Sequence, residues 1–320
     1  MDENAQFILG GEQTEDEAEE LVSHLEKSDL HISKILCGKC ELKELKKEDY
    51  YLFIAQMGID PEIFEILDLH GWKEVEDYQY IYHDIRIGGI EGYYKDVYEN
   101  EIIAKEKIDK CNVRFKGWNS KLYIGSKVRL APDCEINIGS NCTVIIGEMS
   151  QIGSTSSIRC EDESTIYIGK NVRLVKGKMV SRNKIEIGDN CIFNEGFNII
   201  CEQKTEIIIG SRCLFSSNVH MRSGNGHSIF LLKEEENISQ KAKHIIIEDH
   251  VWVGQDVTIL HNAKIGKDSV VGAKSLVKKE HADSCLLYGV PAQTKQNNVR
   301  WDIRNISYEE YIGELINDSN

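Results

Sequence analysis

From about residue 120 onward, aliphatic residues recur in a pattern that fits neither a helix nor an ordinary amphipathic strand. Ile247, Val253, Ile259, Ile265, Val271 and Val277 stand six apart without a break, and Ile-Gly or Val-Gly pairs recur at 124, 146, 152, 168, 187, 209, 253, 265 and 271. A helix repeats every 3.6 residues and a strand every two, so a strict period of six calls for a chain that turns a corner every six residues. On each side an aliphatic residue fills the interior. A small or β-branched residue two positions earlier lies beside it: Val251, Val257, Ala263, Ser269 and Ser275 in the C-terminal stretch. Three such sides close a triangular coil of 18 residues. The positions 124/130/136, 146/152/158, 168/174/180, 187/193/199, 209/215/221, 247/253/259 and 265/271/277 are all aliphatic, Met or Phe, which predicts about seven coils over 120–300. One gap, between Met221 and Ile247, holds 20 residues more than a coil needs and predicts a loop over 222–246. The glycine after each aliphatic position is expected to supply backbone angles that other residues resist.

The first 90 residues read differently. Gln6–Leu9 is a short apolar run, and Thr14-Glu-Asp-Glu17 is a capping box ahead of Ala18, Leu21, Val22 and Leu25 on one helical face. Residues 31–36 and 51–55 read as strands, and Asp60-Pro61 opens a second helix that Gly71 closes. The order β-α-β-β-α-β predicts a small α/β domain over 1–90. Gly10-Gly11 reads as a tight turn, because the full glycine fingerprint of a phosphate-binding turn is missing. Residues 91–119 read as a linker with a polar connecting helix over 93–110, and 301–320 as a C-terminal tail.

Composition narrows the function classes. With 41% hydrophobic and 28% charged residues and 3 prolines, the chain is not a disordered one. Residues 1–110 hold 28 Asp+Glu against 12 Lys+Arg, and 111–320 hold 25 against 26, so neither part has the basic footprint of a nucleic-acid binder. No apolar run reaches the roughly 18 to 20 residues of a spanning helix, and Met1-Asp-Glu-Asn4 lacks a basic-then-apolar opening. A cytoplasmic protein without membrane insertion is the expectation. Its ten cysteines are then expected to be reduced thiols. Cys134, Cys142, Cys191 and Cys213 each stand two before an interior position, where a small apolar side chain packs well. Cys37-Gly-Lys-Cys40 is a CxxC without a second pair, so no metal is expected.

The repeat resembles that of the hexapeptide-repeat acyltransferases, most closely the sugar O-acetyltransferases of bacterial capsule and surface-polysaccharide pathways. The resemblance covers roughly 120–300 and rests on Met221-Arg-Ser-Gly-Asn-Gly-His-Ser-Ile229, Ile247-Glu-Asp-His-Val-Trp-Val-Gly254, Val271-Gly-Ala-Lys-Ser275 and Tyr288-Gly-Val-Pro-Ala292. It implies a mainly β protein, a left-handed parallel β-helix behind the small α/β domain. The handedness comes from the resemblance alone, since spacing does not set it.

The resemblance also implies a site. A histidine on a loop leaving the coil acts as general base in such enzymes, and His227 occupies that place. A sugar hydroxyl is a poor nucleophile, so taking its proton during attack is the useful assistance, and histidine titrates near the working pH. Asn225 stands where the family often has Asp; it would orient the ring without stabilising the imidazolium. Trp252 would line the acceptor and thioester site across a subunit boundary. Coenzyme A would lie between subunits near the last coils, with backbone at Gly254, Gly272 and Ala273 along its pantetheine. Lys274, Lys278 or Lys279 would meet its phosphates, and Tyr288 to Pro291 would cover the arm. Gln293 replaces the Lys or Arg that commonly ends this motif. His220, His250 and His261 face outward by register, His250 being the best placed of them to support the site.

The reading is thus an acetyl-CoA-dependent O-acetyltransferase acting on a saccharide hydroxyl by direct transfer, assembled as a homotrimer with sites between subunits. Three alternatives stand beside it. The α/β domain ahead of a β-helix resembles sugar N-acyltransferases with nucleotide-binding N-terminal domains, which would make the acceptor a nucleotide-sugar amine. A zinc carbonic anhydrase on the same kind of helix would need converging histidines, with His220, His227, His244 and His250 as candidates. A non-catalytic scaffold would use the acidic N-terminal part to capture a partner.

Overall fold

The computed structural model describes residues 5–10, 35–37, 51–56, 78–80, 85–90, 92–96, 98–232, 236–237 and 244–311. Most of these wind into a left-handed parallel β-helix, a prism with three sheet faces. Face A runs from Arg129–Leu130 to Cys285–Gly289, face B from Ile85–Ile87 to Leu276–Val277, and face C from Tyr93–Lys95 to Glu280–His281. The chain visits them in turn, as Trp252–Val253 on A, Thr258–Leu260 on B, Lys264–Ile265 on C and Val270–Val271 on A again. Among the described residues no helix is long and apolar enough to cross a membrane.

The six-residue rows become interior columns. Ile207 pairs with Ile245 and Ile209 with Ile247 in parallel register, and all four are buried. Each short strand bonds to the coils above and below, as where the Gly147 N–H donates to the Ile168 carbonyl at 2.8 Å, so the backbone is satisfied without long strands. Inside, Phe193 stacks on Phe215 with ring centroids 4.2 Å apart, and Phe197 meets Phe193 edge-on at 5.7 Å.

The corner glycines have a different reason from the one their sequence suggests. Gly147, Gly210 and Gly266 do not hold left-handed backbone; two residues beyond them Met149, Arg212 and Asp268 do, with φ of 60°, 59° and 60°. Space is what excludes a side chain. A Cβ on Gly210 would lie 2.7 Å from the amide nitrogen of Asp249 in the next coil. The stacking distance between coils, rather than torsional freedom, therefore selects glycine.

Three further expectations are corrected. Residues 91–119 are not a linker with a helix: Glu101–Ala104 pairs parallel with Lys121–Ile124, and Val113–Phe115 lies on face B. Ile102, Val113 and Phe115 are fully buried, so the β-helix starts about one coil earlier and makes about eight turns. At 180 the row slips by one. Met179 stacks between Ile158 and Ile199 in the interior, while Val180 lies in the outward row between Arg159 and Ile200. Leu174 and Met179 are five apart, because the intervening corner is one residue shorter. Finally, residue 301 is no part of a free tail, as described below.

Upstream, Ala5–Gly10, Ile35–Cys37, Tyr51–Gln56 and Tyr78–Tyr80 form a parallel sheet in which the first strand lies between the second and third, and the fourth follows the third. Parallel neighbours need crossovers, and the intervening stretches are long enough for them. The expected helices at 14–25 and 60–71 lie outside the described residues, as do Gly11, Cys40 and the side chain of Cys37.

The thiols follow the packing reading. Cys134, Cys142, Cys191 and Cys213 are each at most 1% exposed. Burial pushes the Cys134 thiol up to about 11, with smaller contributions from Cys111 and Asp133. Since the thiolate is the reactive form, we expect Ellman's reagent to titrate at most Cys37 and Cys40 in the native protein, and all ten thiols after denaturation. Rapid labelling of more than two thiols in the folded state would contradict this packing.

Candidate active site

The extra residues after Met221 leave the prism at the corner between faces B and C. There the coil closes again only at His244–Ile247, and a short antiparallel pair, Phe230–Leu231 with Glu236–Asn237, lies in the excursion. His227 sits near the root of this loop and is exposed, with Asn225 half-buried behind it. Gly226 between them adopts φ of +73°, and a Cβ there would lie 2.5 Å from Nη2 of Arg222. Its conformation favours glycine at this point, while the guanidinium it faces is the movable end of a side chain.

Trp252 lies on the outside of face A at 39% exposure, flanked in register by Leu214 and Val270. Its indole N–H donates to Ser216 Oγ at 3.3 Å. Ser217 and Asn218, the next residues, line a groove of about 490 Å³ along the corner between faces A and B, together with Lys176, Lys178, Glu195 and Ser157. Hydroxyl, amide and charged groups share its wall with Phe197 and the backbone of Gly177 and Gly196.

The sequence reading missed a second indole. Trp301 stacks on His250 with centroids 4.5 Å apart and planes 11° from parallel, and lies 6.0 Å from the ring of Trp252. Its N–H donates to the His250 carbonyl at 2.7 Å. His250 occupies a left-handed corner position and hydrogen-bonds Asp268 Oδ1 through Nδ1 at 2.9 Å, while Arg300 Nη2 lies 3.7 Å from Asp268 Oδ2. These contacts hold the segment after residue 297 against face A. An aromatic pair in the sequence, Trp252 and Trp301, was the available signal, but nothing local tells that 49 residues of chain return to the same face.

The residues read as a cofactor groove gather in the last coils. Gly254 lets the coils approach closely, since a Cβ there would lie 2.8 Å from the Ala273 amide nitrogen. Gly272 faces Tyr288 in the same way, at 2.8 Å from its Cβ. Ala273, Lys274, Lys278, Lys279, Tyr288 and Pro291 are exposed. Lys279 reaches Gln293 Oε1 at 3.0 Å, and Lys295 lies over the Tyr288 ring at 5.4 Å. Gln293 thus ties down one of the lysines instead of supplying a charge. His220 and His244 are exposed, and His261 is half-buried. Among the described residues no group of three His, Cys, Asp or Glu side chains is arranged to hold a metal.

His227 and Trp252 are not brought together within one chain. The loop that carries His227 springs from the corner between faces B and C, whereas Trp252 lies on face A with Trp301 beside it.

Comparison with known proteins gives a consistent picture. Residues 244–279 match the family model described as bacterial transferase hexapeptide (six repeats), the stretch in which the six-residue rows are unbroken. The polysialic acid O-acetyltransferase of Escherichia coli O1:K1 / APEC is 32% identical over 138 residues, 42% of this chain and 44% of that protein. The galactoside O-acetyltransferase of Lactococcus lactis subsp. lactis (strain IL1403) is 33% identical over 113 residues, 34% of this chain and 54% of that protein. The chain thus spans about half the length of these curated relatives. Among solved structures, the polysialic acid O-acetyltransferase OatWY superimposes with a TM-score of 0.57 at 26% identity, over 64% of this chain and 97% of that one. The resemblance read from the repeat therefore holds: the chain carries the hexapeptide repeat over 244–279 and is similar to sugar O-acetyltransferases.

Proposed function

We propose that this hexapeptide-repeat chain is an acetyl-CoA-dependent O-acetyltransferase that acetylates a saccharide hydroxyl, with each site built by two copies of a homotrimer. The observation that carries the reading is the placement of His227 at the corner opposite the face bearing Trp252. A neighbouring prism set face to corner would bring one copy's His227 loop over the other's Trp252. The sugar O-acetyltransferases to which the chain is similar support the acyl-transfer chemistry.

In this reading the acceptor lies along the outside of the prism near Trp252, and the imidazole of His227 takes its hydroxyl proton as the oxygen bonds to the thioester carbonyl carbon. Backbone N–H groups stabilise the developing oxyanion. As the carbon–sulfur bond breaks, the imidazolium returns the proton to the leaving thiolate, so His227 ends as it began. Gly254, Gly272 and Ala273 leave room for the pantetheine arm, and the exposed Lys274 and Lys278 offer charge to the phosphates. Lys279, already bonded to Gln293, contributes less.

A second reading draws on the N-terminal part. Its parallel sheet reverses strand order about the first strand, and in open α/β sheets ligands bind at such switch points, beyond the carboxyl ends of the strands. A nucleotide-sugar acceptor held there would make the chain an N-acetyltransferase.

The deciding experiment pairs calorimetry with subunit mixing. Wild type is expected to bind acetyl-CoA, and His227→Ala and Trp252→Ala, each inactive alone, are expected to recover acetyl transfer to polysialic acid or galactosides when co-expressed. Mixed assemblies would contain sites with both side chains intact. No binding of acetyl-CoA at millimolar concentration would sink the transferase reading. Binding without recovery on mixing would place both residues' roles within single chains, and tight binding of a uridine or thymidine diphosphate would favour the N-acetyl alternative.

A further inference from the structure

Among the described residues one acidic side chain is buried, and it stands at the root of the His227 loop. Glu202 is 6% exposed. It sits two residues past Ile200 on face B, and the parallel register stacks Val180, Ile200 and Arg222 in successive coils. Arg182, Glu202 and Gly224 therefore fall in one column at the corner between faces B and C. Arg222 Nη2 donates to Glu202 Oε1 at 2.7 Å, and Arg182 Nη1 donates to Oε2 at 3.3 Å. Each carboxylate oxygen thus has its own guanidinium, one from the coil below and one from the strand that enters the loop.

The backbone of the loop root is held to the same residue. The Glu202 N–H donates to Ser223 Oγ at 2.9 Å, and the Ser223 hydroxyl bonds to that of Thr205, which in turn donates to the Glu202 carbonyl at 2.7 Å. Gly224 passes so close that a Cβ on it would lie 2.9 Å from the Cβ of Glu202, and Gly226 lies over the Arg222 guanidinium. Desolvating a carboxylate is costly and needs strong partners to offset it. Here those partners are spent on the one corner where the coil opens, three residues before the histidine: Gly224 is the last residue in the column and His227 follows two past Asn225.

We infer that Glu202 is a positioning residue for His227: clamped between Arg182 and Arg222, it fixes Ser223 to Gly226 so that the imidazole is presented in one orientation. This rests on the reading of His227 as the base. A base displaced by about 1 Å loses up to a hundredfold in rate without any change in its own chemistry. Glu202 touches no reacting atom in this scheme and acts only through the loop.

The test uses the full chain as wild type, Glu202→Gln, His227→Ala and the double variant, with Gln chosen to keep shape while removing one carboxylate oxygen. Thiol release from acetyl-CoA is followed with polysialic acid, galactosides and water as acceptors, and hydrogen exchange is followed over 223–229 and 244–279. Glu202→Gln is expected to lower kcat ten- to a hundredfold, leave KM for acetyl-CoA within twofold, and raise exchange over 223–229 but not over 244–279. In the His227→Ala background it is expected to cost nothing more, because two residues acting as one unit do not lose twice. An unchanged kcat, a loss that multiplies in the double variant, or faster exchange throughout the β-helix would overturn the inference. Equal rates for wild type and His227→Ala would instead remove the base reading itself, and the exchange data would still report whether Glu202 holds the loop.

Discussion

Replacing His227 by alanine is expected to lower kcat for acetyl transfer by about 10²- to 10⁴-fold, the range over which a positioned general base accelerates proton transfer. The Kd for coenzyme A should stay within about twofold, because Gly254, Gly272 and Ala273 follow strands of face A, whereas the loop leaves between faces B and C. The side chain is exposed, so thermal stability should be unchanged as well. Steady-state kinetics with isothermal calorimetry separates these effects: a loss confined to kcat belongs to the chemical step. A parallel loss of coenzyme A affinity would mean that the loop closes the cofactor groove and would move His227 from catalysis to binding.

The largest expected effect on stability lies at the centre of the prism. Phe193 is fully buried, stacks on Phe215 and receives the edge of Phe197, so Phe193→Ala deletes a ring from a three-ring cluster spanning neighbouring coils. Large aromatic truncations in cores cost about 3–5 kcal/mol, and the two remaining rings, each fixed by its own strand, have little freedom to refill the space. Denaturant unfolding of purified protein should show that loss in midpoint, with the slope preserved if the helix still melts as one unit. A cost below about 1 kcal/mol would mean that the coils relax around the void, and that the stack adds little beyond its volume.

Legibility differs between the prism and its site. The rows through Ile247, Val253 and Ile259 were legible because every interior position is aliphatic and every corner has the same length. Where a corner shortens, as before Met179, a fixed period points to the neighbour, and the first coil was hidden because Ala104-Lys105 stands where other coils have Ile-Gly. The site split along the same line. His227, Trp252 and the glycines at 254 and 272 belong to local motifs, so sequence alone offers them as candidates. Trp301, Arg182 and Glu202 matter through contacts 51, 20 and 20 residues distant, and only the register of stacked coils brings those partners together. The reason for the corner glycines was misread for a related cause: a torsion is a local property, whereas the clash that excludes Cβ comes from the next coil.

A parallel coil that adds one layer at a time has no intrinsic stopping point, since its last strands present unpaired amide and carbonyl groups to whatever comes next. The terminal hairpin answers that hazard on face A. Ala292–Asn297 runs antiparallel across Cys285–Gly289 with a register irregularity at Leu286 and Leu287, and its outward residues are Gln293, Thr294, Lys295, Gln296 and Asn297. A strand in reversed direction, slipped and fully polar on its exposed side, is a poor template for another prism. The same six residues therefore give face A an edge that disfavours pairing with the strands of another prism.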